Sequence, residues 1–252
     1  MSQLEQAAAQ ELKPTESQGL PRRASVPASA EILRFPETPL AIEIKSFLQG
    51  AAATVRMKRV MDIAVALCAL TVLSPFLLLF AALIRLTSSG PAVFRQQRTG
   101  LNGKEFTILK FRTMYSELAD PSGVKHTVQD DPRVTPIGRF LRKFSIDELP
   151  QLVNVLKGEM SIVGPRAHAV GMLALGVPYN QFVRDYDLRH LVKPGLTGQA
   201  QIKGYRGEVV DEAHARGRVA EDLDYVRNLS IWRDIKIMIL TLPAVISGKA
   251  AF

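Results

Sequence analysis

One cysteine in 252 residues, Cys68, leaves no partner for an internal disulfide. Its place in an apolar run makes it a small buried hydrophobe of a reducing compartment. The four histidines, His126, His168, His190 and His214, show neither i,i+4 nor cysteine-paired spacing, which argues against a zinc site. No G-x-x-x-x-G-K-[ST] string occurs, so a Walker-type phosphate cradle is absent. A cleaved secretory signal needs a charged start and an apolar core near the N-terminus, and here the first apolar core begins only around Val60. Helix-turn-helix, zinc-finger and aromatic RNA-stacking signatures are also missing. The formal charge of +8 therefore does not point to nucleic acid.

What the chain does contain is an apolar body, 47% hydrophobic, under a basic surface suited to phosphates or an anionic membrane. Residues 1–55 are close to neutral and, up to residue 50, rich in Ala, Gln, Glu, Ser and Pro. They read as a flexible tail, with short helices allowed at Leu4–Leu12 and Ala41–Ala52. Residues 56–90 hold the run IAVALCALTVLSPFLLLFAALI, Ile63 to Ile84, which is 22 residues without a charge. As straight helix it is roughly 33 Å long, enough to span a bilayer.

Ser74-Pro75 sits at the centre of that run, where proline removes a helical hydrogen bond, and both flanks are basic: Arg56, Lys58 and Arg59 before it, Arg85, Arg95 and Arg98 after it. Positives at both ends favour one cytoplasmic side for both, hence a re-entrant helix-break-helix hairpin. A kinked span and a buried core helix remain open on these grounds. The groups freed near Pro75 are expected to be satisfied by Ser74 or by local adjustment of the helix.

Residues 91–252 read as a mixed α/β, mainly helical cytosolic domain. Two short strands, Val93–Gln97 and Glu105–Phe111, flank the Asn102-Gly103 turn. DDPRVTPIG and KPGLTG read as loops, and a helix breaks or restarts near Pro150. In the last helix Ser230 is the expected cap, with Ile231, Ile235, Met238, Ile239 and Leu242 on one face. Trp232, Arg233 and Lys236 suit a membrane interface, and packing into a core is the alternative.

Cations recur through this domain: Lys110 and Arg112 in LKFRTM, Arg142 before a carboxylate pair, Arg166 after the turn Gly164-Pro165, and Lys193 beside the glycine loop. Positioned Arg and Lys with a divalent metal are what developing charge on phosphoryl oxygens requires. The carboxylates are Asp147 and Glu148 in FSIDELPQL. Ser145 three residues before Glu148 has the spacing of a capping box, and a helix N-terminus would keep Asp147 ionised as a nucleophile toward phosphorus. Glu148, about 100° round the helix, is then placed to bind Mg²⁺.

In order, the apolar hairpin with Ser74-Pro75, FRQQRTGLNGKEFTILKFRTM, DDPRVTPIGRFLRKFSIDELPQL, VLKGEMSIVGPR, KPGLTG and DLDYVRNLSIWRDIKI resemble the bacterial monotopic phosphoglycosyl transferases, which initiate exopolysaccharide and capsule assembly. The resemblance runs from about Met57 to the C-terminus. It implies that Asp147 attacks the sugar-bearing phosphate of a UDP-sugar, releasing UMP, and that polyprenyl phosphate, in the form of undecaprenyl phosphate, then takes the phosphosugar.

It further implies Glu148 as Mg²⁺ ligand, Arg142 as phosphate-binding, and Lys110, Arg112 and Arg166 as active-site cations. The hairpin and last helix would lie in membrane lipid at the cytoplasmic face of the bacterial inner membrane. Two departures stand out: Ala167 where the family turn reads GPRP, and Gln199-Ala200-Gln201 where many members carry a Trp. His190, Lys193 and KGYRG look most like the glucose-transferring branch. The competing reading is a membrane-anchored basic scaffold without turnover. Oligomeric state, homo-oligomer included, is left open.

Overall fold

A computed structural model of the chain describes residues 37–118, 131–207 and 209–246. His126, residues 1–36 of the tail and Asp130 of the DDPRVTPIG loop lie outside them. The described body is mainly helical with three small two-stranded sheets, in the mixed class expected.

Helix α1 (Pro39–Gly50) falls inside the stretch read as tail. Thr38 caps it by accepting the Ala41 N–H at 3.2 Å, and Ala41 and Ile44 are wholly buried in the main core. A Thr-Pro start and an apolar i,i+3 pair are enough to dock this segment.

Helix α2 (Ala52–Thr87) carries the apolar run. Where a helix-break-helix is expected, the chain is one helix continuing through Pro75. Pro75 offers no N–H to the Thr71 carbonyl, and the Ser74 hydroxyl donates to that carbonyl instead, at 2.9 Å. The orphaned acceptor is satisfied locally, so the ladder need not separate.

Near its start α2 is fixed by a buried polar network. Lys58 Nζ donates to Asp234 at 2.7 Å and to the Val163 carbonyl at 2.8 Å, while Asp62 accepts from Ser161 Oγ at 3.0 Å and the Ile162 N–H at 2.9 Å. Lys58 is therefore a buried ion-pair partner rather than a free flanking charge. Arg59 bonds the Val155 and Leu156 carbonyls.

Strands β1 (Val93–Thr99) and β2 (Glu105–Phe111) pair antiparallel from Val93 with Phe111 to Thr99 with Glu105. Asn102 (φ 55°) and Gly103 (φ 74°) supply the left-handed turn that the Asn-Gly signal predicts. Helix α3 (Pro136–Lys143) leads to a 3₁₀ turn (Ile146–Glu148) and helix α4 (Gln151–Lys157), which restarts directly after Pro150. Asn154 of α4 binds the β2 edge, accepting from Leu109 N–H at 3.0 Å and donating to the Thr107 carbonyl at 2.8 Å.

Next come β3 (Ser161–Val163), β4 (Leu173–Ala174), β5 (Val177–Pro178), helix α5 (Tyr179–Phe182) and a 3₁₀ turn (Tyr186–Leu191). β6 (Gly195–Thr197) and helices α6 (Gln199–Ile202), α7 (Glu212–Arg227) and α8 (Ile231–Ile246) complete the described chain. KPGLTG, read as a loop, contains β6, which pairs parallel with β3. Its glycines serve close backbone approach: a Cβ on Gly195 would lie 2.1 Å from the Gly164 nitrogen.

Ser230 caps α8 by accepting the Arg233 N–H at 3.2 Å. The inward stripe of α8 is Asp234 and Ile237, whereas Trp232, Ile239, Leu240 and Leu242 are exposed. Of the expected apolar face, Ile239 and Leu242 are exposed while Ile231, Ile235 and Met238 are half-buried, with Met238 packed against the main core.

Candidate active site

The carboxylate pair is placed by the way α3 meets β2. Thr135 caps α3 by accepting the Gly138 N–H at 2.9 Å, and a Cβ at Gly138 would lie 2.1 Å from the Thr113 carbonyl. Only glycine lets the helix lie on that segment. The contact sets Arg142 Nε on Thr113 Oγ1 at 2.8 Å.

Beyond α3, Ser145 adopts a left-handed conformation (φ 55°, ψ 21°) and turns the chain into Ile146–Glu148. A capping box needs an extended N-cap residue, so the expected one does not form. Ser145 makes no side-chain cap bond, and its carbonyl accepts the Glu148 N–H at 3.2 Å. The Glu148 carboxylate is thereby left for other partners.

Those partners are Lys110 from β2 and Arg166 from the turn after β3. Lys110 Nζ donates to Glu148 Oε1 at 2.9 Å, and Arg166 forks onto both oxygens, with Nη1 to Oε2 at 3.2 Å. The Arg166 carbonyl in turn accepts Arg189 Nη2 at 2.7 Å, and Arg189 is paired to Asp222 at 2.9 and 2.7 Å inside the protein. Burial opposes the Glu148 charge, but Arg166 and Lys110 hold its carboxyl well below the ordinary range.

Asp147 is the converse case. Burial, followed by the adjacent Glu148 charge, raises it to about 6, against the pull of Lys110, Arg142 and Arg166. A helix terminus is thus not what sets its protonation, and the short 3₁₀ turn supplies no long dipole. Two neighbouring carboxylates pushed in opposite directions are the arrangement by which sites divide roles between like groups.

The other anticipated residues are dispersed. Arg112 turns away and binds the end of α2, donating to the Ile84 carbonyl at 3.3 Å and the Ser88 carbonyl at 2.8 Å. It terminates the apolar helix rather than lining the site. Lys193 lies by Gly158 and Arg59 at the far end of α4 from the carboxylates. Ser74 and Pro75 are in the exposed middle of α2.

Two groups beside the site escaped the sequence reading. Arg98 neighbours Arg166 and Glu148, and burial followed by Arg166 brings it down to about 10. Gln151, at the start of α4, is 2% exposed. Strand alternation carried a signal for Arg98. In the observed register Phe94 opposes Lys110 and Arg98 opposes Phe106, so period two puts Arg98 and Lys110 on one face of the hairpin. Together Arg98, Lys110, Gln151 and Arg166 line a cleft with Ile108, Met160, Ala167 and Gly195.

Among the described residues no group of three His, Cys, Asp or Glu side chains is arranged to hold a metal. The site offers two adjacent carboxylates. Glu148 Oε1 takes both cations, while Oε2 accepts only from Arg166 Nη1 and keeps lone-pair capacity. Mg²⁺ is commonly held by one or two carboxylates with phosphate oxygens and water, and Oε2 suits that mode.

A carboxylate pair ringed by Lys and Arg, in a chain that also carries a long apolar helix, fits a class of enzyme that handles phosphorylated substrates. Comparison with known proteins makes the assignment: the family described as bacterial sugar transferase matches residues 53–248, and the chain belongs to it. The chain is 50% identical over 196 residues to the exopolysaccharide production protein PSS of Rhizobium leguminosarum bv. phaseoli, covering 78% of this chain and 98% of that protein. It is 48% identical to the undecaprenyl-phosphate glucose phosphotransferase of Komagataeibacter xylinus, over 77% of this chain and 37% of that protein. With the UDP-glucose:undecaprenyl-phosphate glucose-1-phosphate transferase of Escherichia coli (strain K12) it shares 47% identity, over 78% of this chain and 41% of that protein. Against the latter two, the chain spans about two fifths of the relative's length.

Proposed function

We propose that this protein transfers glucose 1-phosphate from UDP-glucose to undecaprenyl phosphate, releasing UMP, as the first membrane step of exopolysaccharide assembly. The observation that carries the reading is the pairing of Glu148 with Lys110 and Arg166 directly beside Asp147. The printed names of the relatives support the donor and acceptor.

In the first step an Asp147 oxygen attacks the sugar-bearing phosphorus. The bond from that phosphorus to the bridging oxygen breaks, and UMP departs with the electron pair. In the second, an oxygen of undecaprenyl phosphate attacks the aspartyl phosphate, the P–O bond to Asp147 breaks, and the carboxylate is restored. Near neutral pH a carboxyl of about 6 is mostly ionised, and half-burial removes part of the water that would blunt attack. Arg142, Lys110 and Arg166 neutralise charge on the transferring oxygens. Glu148 would hold Mg²⁺, which when bound would supply further neutralisation of that charge.

The membrane reading follows from how α2 is tied. Its start is bonded to β3 and α8 through Lys58 and Asp62, and its end is held by Arg112. Val72, Phe76, Leu78 and Leu79 between them are exposed. An element anchored at both ends to one cytosolic body keeps both ends on one side of the bilayer, which supports a re-entrant element at the cytoplasmic face. The exposed Trp232, Ile239 and Leu242 of α8 add an interfacial surface.

The test is a panel of UDP-sugars offered with undecaprenyl phosphate and Mg²⁺, read as UMP release. UDP-glucose should give the fastest turnover and Asp147→Asn none. Failure of every UDP-sugar to release UMP would leave the basic scaffold in its place.

A further inference from the structure

Arg166 reaches Glu148 from a turn whose backbone is held carbonyl by carbonyl. The Pro165 carbonyl accepts the Gly195 N–H of β6 at 2.9 Å, and the His168 carbonyl accepts the Thr99 N–H of β1 at 3.2 Å. The two carbonyls between them go to arginine side chains. Arg189 Nη2 donates to the Arg166 carbonyl at 2.7 Å, and Arg98 Nη1 to the Ala167 carbonyl at 3.2 Å. Four successive carbonyls are thus fixed from β6, β1 and the 3₁₀ turn that carries Arg189. The Arg166 side chain is itself 39% exposed. Holding its backbone lowers the entropy cost of keeping the fork on Glu148 in one geometry.

Arg189, by contrast, is 1% exposed, and its Nε and Nη2 both rest on Asp222 Oδ2 of α7, at 2.9 and 2.7 Å. The Tyr186 ring lies against the guanidinium, 5.3 Å from its carbon. A buried ion pair is a poor source of stability, because desolvation offsets the attraction, and apolar residues of like volume often serve as well. What apolar residues could not do here is donate to the Arg166 carbonyl. By holding the Nε–Nη2 edge, Asp222 leaves the second Nη2 proton aimed at that carbonyl.

We propose that Arg189 and Asp222 are positioning residues: the pair fixes the Arg166 backbone so that its guanidinium stays on Glu148, beside Asp147, before substrate arrives. Both act through Arg166 and do not touch the reacting groups. The kinetic consequence rests on the transfer reaction proposed above, whereas the structural half stands on the hydrogen bonds.

The experiment replaces the pair together in the full chain, Arg189→Met with Asp222→Leu, which leaves no buried charge unpaired and should keep a thermal midpoint close to that of the wild type. With UDP-glucose, undecaprenyl phosphate and Mg²⁺, kcat for UMP release should fall about 10- to 100-fold, the scale of a displaced catalytic group, with the KM for UDP-glucose little changed. Arg189→Lys keeps a charged donor and should recover part of that loss. In an Arg166→Ala background the same double replacement should change kcat by no more than about twofold, because the residue it serves is gone. Independently of turnover, the Gly195 and Thr99 amides, which donate into the same turn, should exchange with solvent roughly fivefold faster in the double replacement, the worth of one net hydrogen bond.

A well-folded double replacement with wild-type kcat and wild-type amide exchange would overturn the proposal. So would an equal further loss of kcat in the Arg166→Ala background, which would mean that the pair acts elsewhere. Failure of the wild type to release UMP from any UDP-sugar belongs to the proposed function instead, and the amide exchange then judges the pair alone.

Discussion

Each carboxylate of the Asp147-Glu148 pair owes its state to different neighbours. Glu148 is the anchor for Lys110 and Arg166, so Glu148→Gln should release both cations and lower UMP release by roughly a hundredfold or more, the scale of losing a preorganised electrostatic partner. A variant within a few fold of wild type in steady-state turnover would contradict that role. His168 and His190 make a separate prediction. Burial, aided by Arg189, holds His168 well below its ordinary value and pushes His190 down to about 3. The unfolded chain takes up protons below about pH 6.5 that the folded chain refuses. Their contribution to stability is therefore present above pH 6.5 and lost as pH falls toward 3, by about 1.4 kcal/mol per unit for each histidine. Thermal midpoints from pH 7.5 to 5 should show the decline, and His190→Gln should flatten it; an unchanged slope would rule His190 out as a source.

At this scale the sequence made the carboxylates and their cations visible but misplaced two of them. Arg112 follows Lys110 by two residues, and β2 ends between them at Phe111, so strand alternation no longer binds it to the Lys110 face. Nothing local announces that its partners are carbonyls at the end of a helix more than twenty residues earlier. The capping box failed for a different reason. Its spacing is a property of the string, whereas the left-handed φ of Ser145 belongs to the folded turn between α3 and Ile146–Glu148.

Among the elements, α2 and α8 are joined by a buried charge pair that the flanking-charge reading could not see, since Lys58 and Asp234 are 176 residues apart. Removing one partner leaves the other buried and uncompensated, so Lys58→Met should cost about 3–5 kcal/mol. Lys58→Met combined with Asp234→Leu should recover much of that loss. Chemical denaturation of the single and double variants measures it, and additive costs would show that the pair is not coupled. Ser74→Ala should lower stability by about 1 kcal/mol by orphaning the Thr71 carbonyl. Local signals found the β1–β2 hairpin because Asn-Gly fixes its own turn. β6 was missed because a three-residue parallel strand is defined only by β3, and its glycines look like turn residues until the backbone contact is seen.

For the whole molecule, the described body leaves apolar side chains uncovered on α2 and on α8, and has a cationic site reached by residues from β1, β2, α3, α4 and the turn after β3. In a Cys68→Ser background, cysteines introduced at Val55 and Leu86, both exposed, should react with an impermeant thiol reagent from the same side of the membrane. Opposite-side labelling would exclude the re-entrant element. The central claim is the covalent role of Asp147, and intact-protein mass spectrometry tests it most directly. Incubated with UDP-glucose and no lipid acceptor, the wild type should gain the mass of one hexose phosphate as UMP appears in equal amount, and undecaprenyl phosphate should remove the adduct. UMP release only when acceptor is present, with no adduct at any time, would contradict it.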